Sequence, residues 1–123
     1  MAGSCVVNYG NKVKRIRKIV IMWTADSKGD VSYAFGHLNG DLGKVVVIPG
    51  EGADQPSSGY NVSVLDAEGL DILDGVGVNR QENYATVLGT AIKTVAGLHT
   101  LLIAKAGDSK KGTVVIHVDT HGF

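Results

Sequence analysis

The sequence predicts an all-β fold: a small single-domain antiparallel β-sandwich or barrel, jelly-roll-like in kind. Three observations carry that expectation. Larger side chains alternate with small or polar ones at period two in 31–37 and again in 60–64, the pattern of strands with one buried face. Clusters of Gly, Asn, Asp and Ser separate the apolar runs, and these residues tolerate positive φ or brace a turn with a side chain. The helically spaced run, 83–96, is loaded with β-branched residues and carries Gly89, which favours strand and loop there over helix. A chain of 123 residues fits one domain and buries roughly two-thirds of its unfolded surface.

Taken in order, residues 1–11 (MAGSCVVNYGN) are small and polar with little period, and read as an N-terminal arm ahead of a single β domain at 12–123. From Val13 the pattern turns strand-like. Ile19, Ile21 and Trp23 fall on one face, with Lys18, Val20 and Met22 on the other. Residues 25–30 (ADSKGD) have turn composition, with Gly29 able to take positive φ. A strand at 31–37 follows. Asn39-Gly40 is the strongest hairpin signal, since a type I′ turn needs positive φ at both central residues, so 42–49 is expected to return beside 31–37. Its run Val45-Val46-Val47-Ile48 is apolar on both faces, which suits a central or interface-buried strand. Residues 49–59 (PGEGADQPSSG) form a long loop, and such loops are often functional or ordered by a partner. A strand at 60–64, a tight turn at 66–69 and a return at 70–73 come next. The ending, 98–104, 106–112 and 113–118, reads as a final hairpin with an exposed tip.

Charge is balanced overall but not along the chain. Residues 1–25 hold Lys12, Lys14, Arg15, Arg17 and Lys18 with no acid, and the remainder carries seven basic against twelve acidic residues. A basic segment on an acidic body can pair head to tail with another copy or with an acidic partner, or serve as a solvated strand edge that resists aggregation. No segment approaches the roughly 18 apolar residues of a membrane span. The start of the chain lacks signal-peptide features, so the expectation is assembly in a cytoplasm, with no membrane partner.

Chemical motifs fare poorly. The segment 107–113 has two glycines with four residues between them, but Thr113 stands where a phosphate-binding loop needs Lys. Gly75-Val76-Gly77 lacks the third glycine of a dinucleotide fingerprint, since Arg80 holds that place. His117, Asp119 and His121 would share one strand face, yet same-face neighbours stand nearly 7 Å apart, about the width of two strand residues and wide for one ion. Cys5 has no evident activating base, and no serine sits in a nucleophile elbow. Lys12 to Lys18 could meet phosphates, but Tyr9 is the sole aromatic residue before Trp23, which argues against a nucleic-acid module. The residues thus favour a non-enzyme without metal or cofactor.

Several stretches resemble small virion structural proteins of tailed bacteriophages. Trp23-Thr24 is followed by an Asp/Ser/Gly turn at 26–29; Gly40, Leu42 and Val45 lead to Pro49-Gly50. The densest match is Pro56, Tyr60, Val62, Val64, Asp66, Gly69, Asp71, Leu73, Gly75, Gly77, Asn79 and Arg80, with Ala106-Gly107 and Gly112-Thr113-Val114 beyond. The resemblance covers about residues 19–118. It implies a β-sandwich present in many copies on a phage particle, as a capsid cement or decoration protein that binds the major capsid protein or other virion proteins and self-associates. A head–tail connector or tail structural protein is the alternative, and a small binding module or a hydrolase the weaker one. It transfers no catalytic residue, and the basic stretch lies outside the pattern. The expected interface draws on Val6, Val7 and Tyr9 of the arm, on Lys14, Arg15 and Arg17, and on Pro49 and Pro56 of the long loop.

Overall fold

The computed structural model describes residues 3–9, 16–73, 75–78, 80, 86–88 and 93–120. The strands are β1 Ser4–Asn8, β2 Ile16–Thr24, β3 Val31–His37, β4 Gly40–Pro49, β5 Asn61–Leu65, β6 Thr86–Leu88, β7 Lys93–Val95, β8 Leu98–Ala104 and β9 Lys111–Asp119. One sheet has the order β1-β2-β9-β4-β6, with β7 also pairing β4; the other has the order β3-β8-β5. All pairings are antiparallel. The two sheets pack face to face and stay open, so the fold is a sandwich and not a barrel.

The winding is that of a jelly roll. β2 pairs β9, β3 pairs β8, and β4 pairs both β6 and β7. Isolated bridges join Leu65 to Asp71 and Tyr60 to Arg80. The chain is therefore one long antiparallel ribbon folded back at the 66–70 turn. Wrapping that ribbon sends successive pairs to alternate sheets.

Two pairing expectations are overturned by this winding. Asn39-Gly40 does not close a hairpin, because β3 and β4 lie in different sheets. The final pair is not a hairpin either: β8 joins β3 and β5, whereas β9 joins β2 and β4. Both reversals exist, but each carries the chain across the sandwich. The expectation of a central β4 holds, since β4 lies between β9 and the β6 and β7 segments. Of the stretch 83–96, Thr86–Leu88 and Lys93–Val95 are strands; 83–85 and 89–92 lie outside the described residues.

Alternation puts one face of each strand into a common core. Ile19, Ile21 and Trp23 from β2 meet Val114, Ile116 and Val118 from β9, Val45 and Val47 from β4, Val62 and Val64 from β5, and Leu101 and Ile103 from β8. Each such side chain contributes about 1.5–3 kcal/mol on full burial. Trp23 and Tyr60 stand at the centre, ring centroids 5.8 Å apart and tilted by 47°. In β3 the alternation breaks at a register shift between Ala34 and Gly36. Val31 and Phe35 stay buried there while Tyr33 is exposed.

Two turns share one device. Asp26 Oδ1 accepts from the Lys28 and Asp30 amides, at 2.9 and 3.0 Å. Asp66 Oδ1 accepts from the Glu68 and Leu70 amides, at 3.0 and 2.9 Å. In both, a glycine three residues on takes positive φ, Gly29 at 83° and Gly69 at 82°. Hydrogen bonds to its charged form, from Asp30 first, hold the Asp26 carboxyl below the usual range.

The N-terminal arm is corrected in part. Ser4–Asn8 is an edge strand in register with β2, pairing Cys5 with Trp23 and Val7 with Ile21. Cys5 and Val7 pack against the core, so this segment belongs to the β domain. Tyr9 then donates its hydroxyl hydrogen bond to the Phe35 carbonyl, tying the end of β1 to the other sheet. Gly36 leaves room for that phenol, because a Cβ there would strike the Tyr9 hydroxyl.

Candidate functional site

The outward side chains of the large sheet form a largely apolar strip. Register places Val6, Met22, Thr113 and Ile48 side by side across β1, β2, β9 and β4. The next same-face row runs Asn8, Val20, Val115 and Val46. With strands about 4.8 Å apart, four of them make a strip roughly 15 Å wide. Val6 is 63 % exposed, Met22 48 % and Ile48 37 %. Val115, also outward, is only 7 % exposed. Apolar faces of this kind mark interaction sites when they are contiguous and rimmed by polar groups.

The rim is basic on two sides. Lys111 registers with Thr24 beyond one end of the strip, and Lys18 registers with His117 beyond the other. Lys44 lies two residues before Val46 on the same outward side of β4 and is exposed. Its carbonyl accepts from His117 Nδ1 at 3.3 Å. Asp41 and Asp119, in register with each other, close the far end.

The expected interface residues separate on this structure. Val6 sits on the outward strip, whereas Val7 faces the core. Tyr9 is a structural tie. Arg17 is exposed near the start of β2; Lys14 and Arg15 lie outside the described residues. Pro49 and Pro56 are both buried, so they anchor the 49–59 loop and offer little to a partner. That loop is held by its own chain. Gly50 donates to the Lys111 carbonyl at 2.9 Å, Ser57 donates to the Ala106 carbonyl at 2.8 Å, and Lys110 Nζ donates to the Ala53 carbonyl at 2.9 Å.

Of Asp66, Glu68, Asp71 and Asp74, acids that a basic segment could meet, two are committed to local structure. Asp71 accepts from the amides of Val64, Leu73 and Gly75 at 3.0–3.2 Å, and Asp66 braces its turn. Asp74 lies outside the described residues. Of His117, Asp119 and His121, the three set aside as a metal site, His117 and Asp119 are outward on β9, and His121 lies outside the described residues. Among the described residues no three His, Cys, Asp or Glu are grouped to hold a metal ion. Burial pushes the Cys5 thiol up to about 11, which keeps it protonated and unreactive at neutral pH. No helix among the described residues is long and apolar enough to cross a membrane.

A separate pocket opens at one end of the sandwich. It has a volume of about 190 Å³ and is lined by Arg17, Ile19, His37, Leu38, Asn39, Val118 and Thr120. On the β5 side of that end, His99 is fully buried, with Nδ1 donating to the Gly97 carbonyl at 2.8 Å. Its Nε2, like Trp23 Nε1 and the Tyr60 hydroxyl, has no hydrogen-bond partner among the described residues. Sequence reasoning missed both features. The pocket joins residues distant in the chain, and His99 differs from a solvated histidine only by alternating with Leu101 and Ile103.

The fold and this surface define a jelly-roll sandwich with a basic-rimmed apolar face. Neither a family model, nor a curated protein, nor a solved structure matches the chain.

Proposed function

We propose that the chain is a structural component of a tailed-bacteriophage virion, a capsid cement or decoration protein that stabilises the shell from outside. The observation that carries this reading is the outward apolar strip through Val6, Met22, Ile48, Val20 and Val46. A contiguous apolar face is costly in a free monomer and useful in an assembly. Its lysine rim suits a shell protein whose contact surface is apolar at the centre and acidic around it. The residue resemblance from Trp23 to Val114 supports the same class. Jelly rolls also build lectins and cupins, so the fold is compatible with the role without deciding it.

In this reading the protein is made in the bacterial host cytoplasm and resides on the particle. Exposed charge pairs give only about 0–1 kcal/mol each, so the apolar strip supplies the affinity and the lysines supply register. Repeated attachment on a symmetric shell multiplies modest contacts. The test uses particles that lack the protein, assembled from the genome that encodes it. Met22→Glu should abolish occupancy while the variant stays folded. Lys18→Ser with Lys44→Ser should weaken occupancy and flatten its salt dependence. Wild-type occupancy by the Met22→Glu variant would remove the strip from the contact and the reading with it.

A further inference from the structure

We infer that the pocket at the sandwich end is a receptor for a single carboxylate carried on a short apolar stem. This rests on the pocket alone and does not depend on the outward strip or on a phage particle.

The pocket forms where the two sheets part. Arg17 precedes Ile19 by two residues on the same side of β2 and registers with Val118 of β9. The link from β3 to β4, Leu38 and Asn39, closes the other side. Two constraints fix that link. Leu38 donates to the Gly97 carbonyl at 3.0 Å, and Gly40, at φ 136°, lies so close to β9 that a Cβ would strike the Asp119 carbonyl. The pocket wall is therefore set by backbone.

Its chemistry is divided. Ile19, Leu38 and Val118, each 1–2 % exposed, make an apolar floor. Arg17, His37 and Asn39 stand exposed around it. Among the described residues no carboxylate pairs with Arg17. A guanidinium is charged throughout the physiological range and matches a carboxylate with two parallel hydrogen bonds. The imidazole and the carboxamide add further donors. The floor is suited to methylene groups of a stem.

Size narrows the ligand. A volume of about 190 Å³ falls below the roughly 300–1,000 Å³ of pockets that hold drug-sized molecules. It suits one side chain or one chain end. A guanidinium also grips phosphate, but among the described residues no helix N-terminus stands here, and inorganic phosphate has no stem to lay on the apolar floor. A carboxylate is left: a Glu or Asp side chain, or a terminal carboxylate behind an apolar residue.

Two probes separate these sources, N-acetylglutamate methylamide and N-acetylvaline, each titrated into ¹⁵N-labelled protein. The neutral controls are N-acetylglutamine methylamide and N-acetylvaline amide. Saturable shifts confined to residues 17–19, 37–39 and 118–120 are expected with at least one acid, and the tighter acid names the source. Its neutral control should bind at least tenfold more weakly. Arg17→Ala, exposed and so expected to fold, should weaken the acid tenfold or more while leaving the rest of the spectrum unchanged. Arg17→Lys should recover part of that loss, because it restores charge without the planar fork. Equal response to acid and neutral control, unchanged affinity in Arg17→Ala, or shifts spread over the whole protein would each overturn the inference.

Discussion

Replacing Gly112 with Ala should destabilise the protein through one contact. Gly112 faces Trp23 across the β2–β9 pairing and Pro49 across β4–β9. A methyl group there would collide with Cζ2 of Trp23, lie 2.7 Å from Cε2, and sit 3.0 Å from the Ile48 carbonyl oxygen. Carbon atoms prefer about 3.5–4.0 Å, so something must yield. The Trp23 ring is 1 % exposed and leans on Tyr60, and the Ile48 carbonyl belongs to a paired strand, so neither gives way freely. Overpacking of this kind costs about 1–3 kcal/mol. For a domain of this size that is a fall in Tm of roughly 5–15 °C. Calorimetry and urea unfolding of Gly112→Ala, Trp23→Phe and the double variant would measure it. The smaller ring removes the atoms that the methyl strikes, so the double variant should be more stable than the two single losses predict, by about 0.5–3 kcal/mol of coupling. A Tm of Gly112→Ala within a degree of wild type, or strict additivity, would refute the packing argument.

Three other outcomes follow from the core and its ties. Tyr60→Phe should leave stability unchanged or raise it by about 1 kcal/mol in urea unfolding, since the buried hydroxyl has no partner among the described residues; a clear loss would show that the hydroxyl is bonded. Burial raises Tyr60 from 10.0 to about 12 and Cys5 from 9.0 to about 11. Between those values the unfolded chain holds fewer protons than the folded one, so the contribution of these two groups to stability should be constant from neutral pH to 9 and fall as pH rises from 9 to 12. Tyr60→Phe should remove the later part of that fall, and a flat profile to pH 12 would contradict the assignment. Tyr9→Phe should cost about 0.5–1.5 kcal/mol and speed amide exchange in β1 more than in β9, as seen by hydrogen exchange; equal protection would mean that the tie to Phe35 does not hold the edge strand.

Much of the core could be read from alternation alone. Ile19, Ile21 and Trp23 are inward as expected, and so are Val62 and Val64, because period two assigns faces without reference to partners. Pairing was not readable in the same way. Asn39-Gly40 and the segment 106–112 have reversal chemistry, but a reversal says only that the chain turns. Which sheet receives the next strand depends on the twist and wrapping of the whole ribbon. The β1 strand was missed because Cys5-Val6-Val7 is too short to establish a period, and its order comes from β2. The outward strip was half visible. Val45 to Ile48 signalled apolar character on both faces of one strand, but only the register aligns Val46 and Ile48 with Val20, Met22 and Val6. The end pocket gave no local signal, because Arg17, His37 and Val118 meet only after folding. The prolines of the 49–59 loop suggested a presented surface; burial of both shows that they hold the loop in place.

The central claim, a shell-binding virion component, is tested most directly by quantitative mass spectrometry of purified particles assembled from the genome that encodes this chain. The account predicts that the chain is present in many copies, in a fixed ratio to the major shell protein, and that Met22→Glu in the same genome removes it from the particle while leaving soluble, folded protein in the host lysate. Its absence from wild-type particles would contradict the account.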